Sequence, residues 1–276
     1  MTKWATKETF DFKWEHIPNY GYDQATEKFR KQWYLERYGW SEEEFCAFLS
    51  GCGAVLDVGT GLGSQVAMYA ERTNGLVYGL DISDSVYQAH KKLEKISNAH
   101  FVQADLHLMP FREESFDFVV SDQVLHHTPD TKKAFQSLVP MIKLGGQIAF
   151  YVYKKKGEAR EYSDNLLRQY TTKMSEEDCL KFSEIVTNFG RDMSQFNLDL
   201  QREIYWNIFK CFWNSDFEYK TNVLVNFDWY HPQYAWRYTV EEVESWVKEA
   251  GLTILHIDKD SKSGISVRAL KPLGKN

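Results

Sequence analysis

Val55-Leu56-Asp57-Val58-Gly59-Thr60-Gly61-Leu62-Gly63-Ser64 is the stretch that decides the fold. An apolar run closes on an acidic residue, three glycines alternate, and a helical pattern begins near Ser64. This is the order strand, tight turn, helix. Glycine tolerates backbone angles that other residues resist, and it removes the side chain that would hold a ligand off the main chain. The N–H groups at the start of the following helix are then free to meet an anionic or polar group. The turn is therefore suited to a nucleotide-like ligand.

The strand-then-acid pattern recurs downstream. Leu76-Val77-Tyr78-Gly79-Leu80 runs into Asp81, and His100-Phe101-Val102-Gln103 runs into Ala104-Asp105. Next comes Phe116-Asp117-Phe118-Val119-Val120-Ser121-Asp122-Gln123-Val124-Leu125-His126-His127, and then Leu144-Gly145-Gly146-Gln147-Ile148-Ala149-Phe150. The dinucleotide fingerprint spaces its glycines Gly-x-Gly-x-x-Gly, whereas this turn reads Gly59-x-Gly61-x-Gly63 behind Asp57. Five ordered matches over residues 51–153 resemble the class I S-adenosylmethionine-dependent methyltransferases. The resemblance implies an α/β, Rossmann-like sheet of seven strands in the order 3-2-1-4-5-7-6, the last strand antiparallel, flanked by helices. It also implies S-adenosyl-L-methionine as cofactor. The turn residues Gly59, Thr60, Gly61 and Gly63 would lie against the methionine and ribose portions. Asp81 would accept the ribose hydroxyls, and Asp105 the adenine amino group, with Ile82 and Leu106 on the faces of the ring. Asp57 would shape the turn or orient the ammonium through water, and Ser121, Asp122 and His127 would border the cofactor.

Composition narrows the function classes. A chain of 276 residues can bury a full core, and one α/β domain with additions is expected. Its formal charge of −6 argues against nucleic acid, which calls for a basic surface. The longest plainly apolar stretch, Ile148 to Tyr153, is too short to cross a bilayer, and Met1-Thr2-Lys3-Trp4 opens no apolar leader, so a cytoplasmic protein is expected. Cys46, Cys52, Cys179 and Cys211 form no CxxC pair and no zinc spacing, and are read as reduced, mostly packing residues. Aromatic residues make up 16% of the chain, including nine tryptophans; beyond the core, such residues gather around flat or cationic ligands.

Within a single domain, four zones are expected. Residues 1–50 read as a helical lid, with a helix from about Asp23 to Tyr38 and a second over Glu42 to Leu49; Trp14, Tyr20 and Tyr22 are its candidate aromatic cover. Residues 51–153 alternate strand and helix as a cofactor-binding core, with crossover helices over Asp84 to Ile96 and Thr131 to Ile142. Residues 154–235 form a helical, aromatic-rich insertion that caps the substrate, with helices over Glu176 to Phe189 and Leu198 to Trp213 and a loop over Asn226 to Tyr234. Residues 236–276 complete the sheet: Thr239 opens a helix that Gly251 closes, and strands follow over Thr253 to Ile257 and Gly264 to Leu270. The insertion is expected to act as a lid or a homodimer surface.

The family's reaction is an in-line displacement at carbon, so the protein's main task is to hold nucleophile, methyl and sulfur collinear, which can supply roughly 7–11 kcal/mol. A hydroxyl or protonated amine acceptor must also lose a proton, and a placed histidine typically gives about 10²–10⁴-fold. His126 and His127 follow the fourth strand, where donor and acceptor meet in the family. Adjacent residues do not both face one pocket, and His126 is the candidate base. Metal-assisted members need acids after both the fourth and fifth strands; Asp122 serves the first, but Tyr151-Val152-Tyr153-Lys154 offers none for the second, so no metal is expected. Base-methylating enzymes carry a Pro-Pro-aromatic signature where this chain reads Ser121-Asp122-Gln123-Val124. The acceptor is thus expected to be a small molecule. Arg160, Trp229, Tyr230 and Tyr234 are the candidate substrate-binding residues, and their two segments resemble a bacterial subgroup loosely associated with carbohydrate or secondary-metabolite modification. A methyltransferase-like partner subunit without catalysis, and a nicotinamide dehydrogenase on the same architecture, are the competing readings.

Overall fold

The computed structural model describes residues 4–274; the stretch Met1–Lys3, read above as opening no leader, lies outside them. Two compact units emerge, one of residues up to Thr26 with Lys155–Ala235, the other of Glu27–Lys154 with the chain from Trp236 on.

The second unit holds the sheet. Its strands are β1 (Ala54–Val58), β2 (Leu76–Asp81), β3 (Ala99–Gln103), β4 (Phe116–Ser121), β5 (Ile142–Lys154), β6 (Arg237–Tyr238), β7 (Thr253–Asp258) and β8 (Gly264–Leu270). They lie in the order β3-β2-β1-β4-β5-β8-β7, with the two-residue β6 beside the end of β5. β1 to β5 are parallel, and β8 is antiparallel to both β5 and β7. Apart from β6, this is the order expected from the sequence. The apolar runs of β1 and β4 are buried on both faces, as a parallel sheet between helices requires. The core gathers Leu56, Val58, Val119, Ile148 and Phe150 from the strands with Phe135, Leu138 and Val247 from the helices. Strand order reverses between β1 and β4, and a ligand crevice forms at such a switch point.

Helix ends follow their local signals. In this unit α2 (Gln24–Tyr38), α3 (Glu42–Ser50), α4 (Ser64–Ala70), α5 (Ser85–Lys92), α6 (Thr131–Leu138) and α11 (Val240–Glu249) carry the helical layers. Thr239 and Glu242 form a capping box at the start of α11, and Gly251 follows its end at φ 70°. Asp130 caps α6 by accepting from Lys133 N at 3.0 Å. The crossover helices α5 and α6 are shorter than the sequence suggested.

The helical unit holds α1 (Trp4–His16), α7 (Glu158–Thr171), α8 (Glu176–Phe196), α9 (Leu198–Asn207) and α10 (Tyr219–Tyr230). α9 stops at Asn207, short of the Trp213 expected from the sequence, and three further departures from expectation occur here. First, α1 was not foreseen: Phe12 packs on Phe227 and Lys13 pairs with Asp228 at 2.8 Å, so tertiary contacts stabilise a helix with little amphipathic pattern. Second, α8 runs through Gly190 where a stop was read, because that glycine lies against the Cys211 carbonyl and a Cβ there would strike it. Third, residues 226–230, read as loop, are the last turn of α10. Asn226 accepts from Phe212 N at 2.8 Å and donates to Phe212 O at 3.0 Å, so these buried bonds outweigh its weak helix preference.

All four cysteines are free. Burial pushes the Cys52 and Cys179 thiols up to about 12 and Cys211 to about 11, leaving them protonated and inert near neutrality. Among the described residues, no helix is long and apolar enough to span a membrane.

Candidate cofactor site at the β1/β4 switch point

The glycine turn sits at the carboxyl end of β1, where the sheet order reverses. Gly59 N and Thr60 N both donate to Leu80 O, at 2.6 and 3.1 Å, which ties the turn to the end of β2. Gly59 adopts φ 80°, and a Cβ there would run into Val124 of the loop after β4. Gly63 also stands at φ 80°, with Ala89 and Phe101 at 3.0 Å from the place a Cβ would take. Glycine at both positions is therefore imposed by conformation and by crowding together.

Asp81 is bound into this turn. Its Oδ2 accepts from Gly61 N at 2.8 Å, while Oδ1 accepts from Ser83 N and Ser83 Oγ at 2.8 and 2.7 Å. The carboxylate is thus aimed and rigid at the end of β2. Asp105, half-buried past β3, accepts from His107 N at 3.0 Å. Ile82 is half-buried, its carbonyl held by Gln103, and Leu106 is buried.

Asp57 lies within β1 and is 1% exposed. Neither of its oxygens accepts a hydrogen bond, and the Thr60 Oγ1 beside it is likewise buried without one. Burial raises the Asp57 carboxyl from 3.8 to about 7; the Thr60 dipole opposes this, and the nearby Asp122 adds to it. Asp122, just past β4, is the hub of the crevice. Arg37 Nη2 from α2 forms a short ion pair with it, Gln65 Nε2 from α4 donates to it at 2.9 Å, and Tyr38 Oη donates at 3.2 Å. Gln123 follows at φ 63°, a left-handed conformation uncommon for a side-chain-bearing residue and frequent at functional loops. Ser121 Oγ donates to Val58 O at 3.2 Å, locking β4 to the end of β1.

The Arg37 guanidinium lies 3.9 Å from the Trp33 ring centroid and 5.2 Å from that of Tyr151. Burial works against its charge, and Asp122 restores it, holding the group above its ordinary pKa. Its Nε and Nη1 are buried without an acceptor, and an unmet buried donor costs roughly 1–3 kcal/mol. Trp33 and Arg37 also line a cavity of about 550 Å³ that runs to residues 256–261.

Past Asp122, Leu125–His127 form a single 3-10 turn. The His126 ring is fully buried and packs on Tyr153 with centroids 3.6 Å apart. Its neighbour His127 lies 3.5 Å through Nε2 from Tyr153 Oη. Both histidines therefore share one aromatic cluster at the carboxyl ends of β4 and β5.

The family described as "Methyltransferase domain" matches residues 56–150, the strands and loops that build this crevice. Residues 56–150 are thus a methyltransferase domain. Over 104 residues the chain is 32% identical to phosphoethanolamine N-methyltransferase 2 of Caenorhabditis elegans, covering 37% of this chain and 24% of that protein. Over 180 residues it is 25% identical to a ubiquinone biosynthesis O-methyltransferase of Coxiella burnetii, covering 57% and 76%. The chain spans well under half the length of the first relatives it matches. Magnesium protoporphyrin IX methyltransferase of Synechocystis, solved with S-adenosylhomocysteine, shares the fold with a TM-score of 0.56 at 14% identity, over 98% of this chain and 100% of that one.

The methyltransferase domain fits the family's cofactor, S-adenosylmethionine, on its own evidence. Asp57 and Thr60 present buried oxygens without partners, and Gly59 and Gly63 leave the main chain bare. Arg37, Gln65 and the Tyr151–Tyr153 pair were not foreseen from the sequence; a lone arginine among aromatics on α2 carries no local signal of its role. The four residues expected to bind substrate lie in the helical unit. Arg160 is buried there, with Nε on Asp164 at 2.7 Å and Nη1 on Tyr205 O. The Tyr230 hydroxyl donates to Lys210 O at 2.7 Å, the Trp229 carbonyl accepts from Arg168, and Tyr234 is half-buried. Among the described residues no cluster of three or more His, Cys, Asp or Glu is arranged to hold a metal.

Proposed function

We propose that this methyltransferase domain moves the methyl group of S-adenosylmethionine to an oxygen or nitrogen of a small molecule. The observation that carries the reading is Asp81, fixed by Gly61 N at the switch point, next to a turn that only glycine can form. The matched relatives named for phosphoethanolamine N-, cycloartenol C- and ubiquinone O-methylation support a small-molecule acceptor.

The bound cofactor supplies a methyl group on a sulfonium, already activated for displacement. Asp81 would hold the ribose hydroxyls and Asp105 the adenine amino group, with Ile82 and Leu106 beside the ring. The bare backbone at Gly59–Gly63 would admit the methionine and ribose portions, and Ser121, Asp122 and His127 would border the cofactor. His126 takes the acceptor's proton as the new bond forms. Arg160, Trp229, Tyr230 and Tyr234 contribute to acceptor choice, which leaves the metal-free, in-line chemistry to the sheet unit.

Incubation with methyl-labelled S-adenosylmethionine and a panel of hydroxylated and amine metabolites, with and without chelator, tests the reading. Labelled product with stoichiometric S-adenosylhomocysteine is expected. Cofactor binding with no turnover on any acceptor would favour the non-catalytic partner subunit. His126→Ala should lower turnover at least about a hundredfold with little change in S-adenosylhomocysteine affinity. Unchanged turnover at saturating acceptor would remove the base assignment.

A further inference from the structure

The connection between α9 and α10 places a lysine inside the helical unit. Lys210 is 8% exposed, and the chain around it is pinned. The Tyr230 hydroxyl donates to Lys210 O at 2.7 Å, Gln201 Nε2 to Cys211 O at 2.9 Å, and Phe212 N to Asn226 at 2.8 Å. The side chain ends over the Trp229 ring, with Nζ 5.0 Å from the centroid, and the Arg160 guanidinium lies 5.3 Å from the same ring. Four charged groups act on it: Lys13 from α1, Arg160 and Asp164 from α7, and Asp228 from α10. Those four pair with one another, Arg160 Nε with Asp164 at 2.7 Å and Lys13 Nζ with Asp228 at 2.8 Å. Burial keeps the Tyr205 and Tyr230 phenols protonated, so they add no charge. Lys210 is the surplus cation. Among the described residues, no acceptor stands within hydrogen-bond or ion-pair reach of its Nζ. Burial draws its pKa down to about 7; Arg160 and Lys13 add to the shift, and Asp228 and Asp164 oppose it. A buried ammonium is costly unless paired, and methionine would fill the same space without that cost.

We propose that Lys210 reads an anionic group on the acceptor, its ammonium pairing with a carboxylate or phosphate beside the face of Trp229. The proposal rests on the reading of the helical unit as the part that chooses the acceptor, and it narrows that acceptor to an anionic small molecule. Arg160, bound to Asp164 and to Tyr205 O, supports this surface and is not its free cation. An anion beside Lys210 favours its charged form, so binding above neutral pH takes up a proton.

Benzoate and phenyl phosphate are the probes, with benzyl alcohol as the neutral control, titrated calorimetrically in two buffers of different ionisation enthalpy to count protons. Wild type is expected to bind at least one anion about tenfold more tightly than benzyl alcohol, and the tighter anion separates carboxylate from phosphate. Both probes hold a constant charge between pH 7.5 and pH 9, so affinity should fall about tenfold over that range, with proton uptake on binding. Lys210→Arg should keep the anion preference without the pH dependence, because its guanidinium stays charged. Lys210→Met, with a thermal melt to confirm folding, should lose the preference. A preference that survives in Lys210→Met, or a pH dependence that persists in Lys210→Arg, overturns the assignment. Anion binding at Lys210 in a protein that methylates no acceptor defeats the acceptor reading and this proposal with it. Methyl transfer by a wild type that binds neither anion better than benzyl alcohol defeats this proposal alone.

Discussion

Replacing Asp57 by Asn should stabilise the ligand-free protein while weakening its hold on the cofactor. Asp57 is 1% exposed and its carboxyl stands near 7 instead of 3.8, chiefly through burial, with Asp122 and Asp81 adding to the shift and Thr60 and Arg30 opposing it. A native pKa above the unfolded one means that the folded state binds the proton more tightly. The ionisation cost is absent below about 3.8, grows as pH rises, and is complete above about 7. Over this shift of about three units, at 1.36 kcal/mol per pH unit, the whole cost is about 4 kcal/mol. Urea unfolding of wild type and Asp57→Asn at pH 4.5 and pH 8 reads it directly. The two proteins should differ by about 1 kcal/mol at pH 4.5, and the variant should gain about 4 kcal/mol at pH 8. The gain should vanish when saturating S-adenosylhomocysteine is present, because its ammonium pairs with the wild-type carboxylate. A variant that is less stable at pH 8 would refute the reasoning, as it would mean that the carboxylate already has a partner in the empty protein.

Three further outcomes follow from the same geometry. Gly59→Ala puts a Cβ into Val124 at φ 80°, so S-adenosylhomocysteine binding should fall at least tenfold by calorimetry; unaltered binding would show that the turn tolerates a side chain. Asp81→Ala removes the acceptor of Gly61 N, and affinity for S-adenosylhomocysteine and for adenosine should fall together by about tenfold or more. Arg160→Met breaks the buried ion pair with Asp164, so urea unfolding should show a loss of about 3–5 kcal/mol, largely recovered in Arg160→Met with Asp164→Leu; an unchanged midpoint for the single variant would contradict the buried pair.

The sheet was legible because parallel strands announce themselves. Val55 to Val58 and Phe116 to Ser121 are apolar runs closed by turn residues or acids, and that pattern depends on local chain alone. Asp81 was legible for the same reason, being the residue at which a strand stops. The helical unit was less so. Nothing within residues 226–230 specifies helix; Asn226 becomes helical because its amide satisfies the backbone of Phe212, a partner 14 residues away. Gly190 reads as a stop until the Cys211 carbonyl that passes it is known. Arg37 was invisible for a related reason. Its role depends on Asp122, 85 positions along the chain, and on two aromatic rings from α2 and β5.

The most direct measurement is a calorimetric titration of the wild-type protein with S-adenosylhomocysteine. One site with a micromolar or tighter dissociation constant is the predicted result. No binding below millimolar concentration would contradict the claim that the glycine turn and its flanking carboxylates cradle this cofactor.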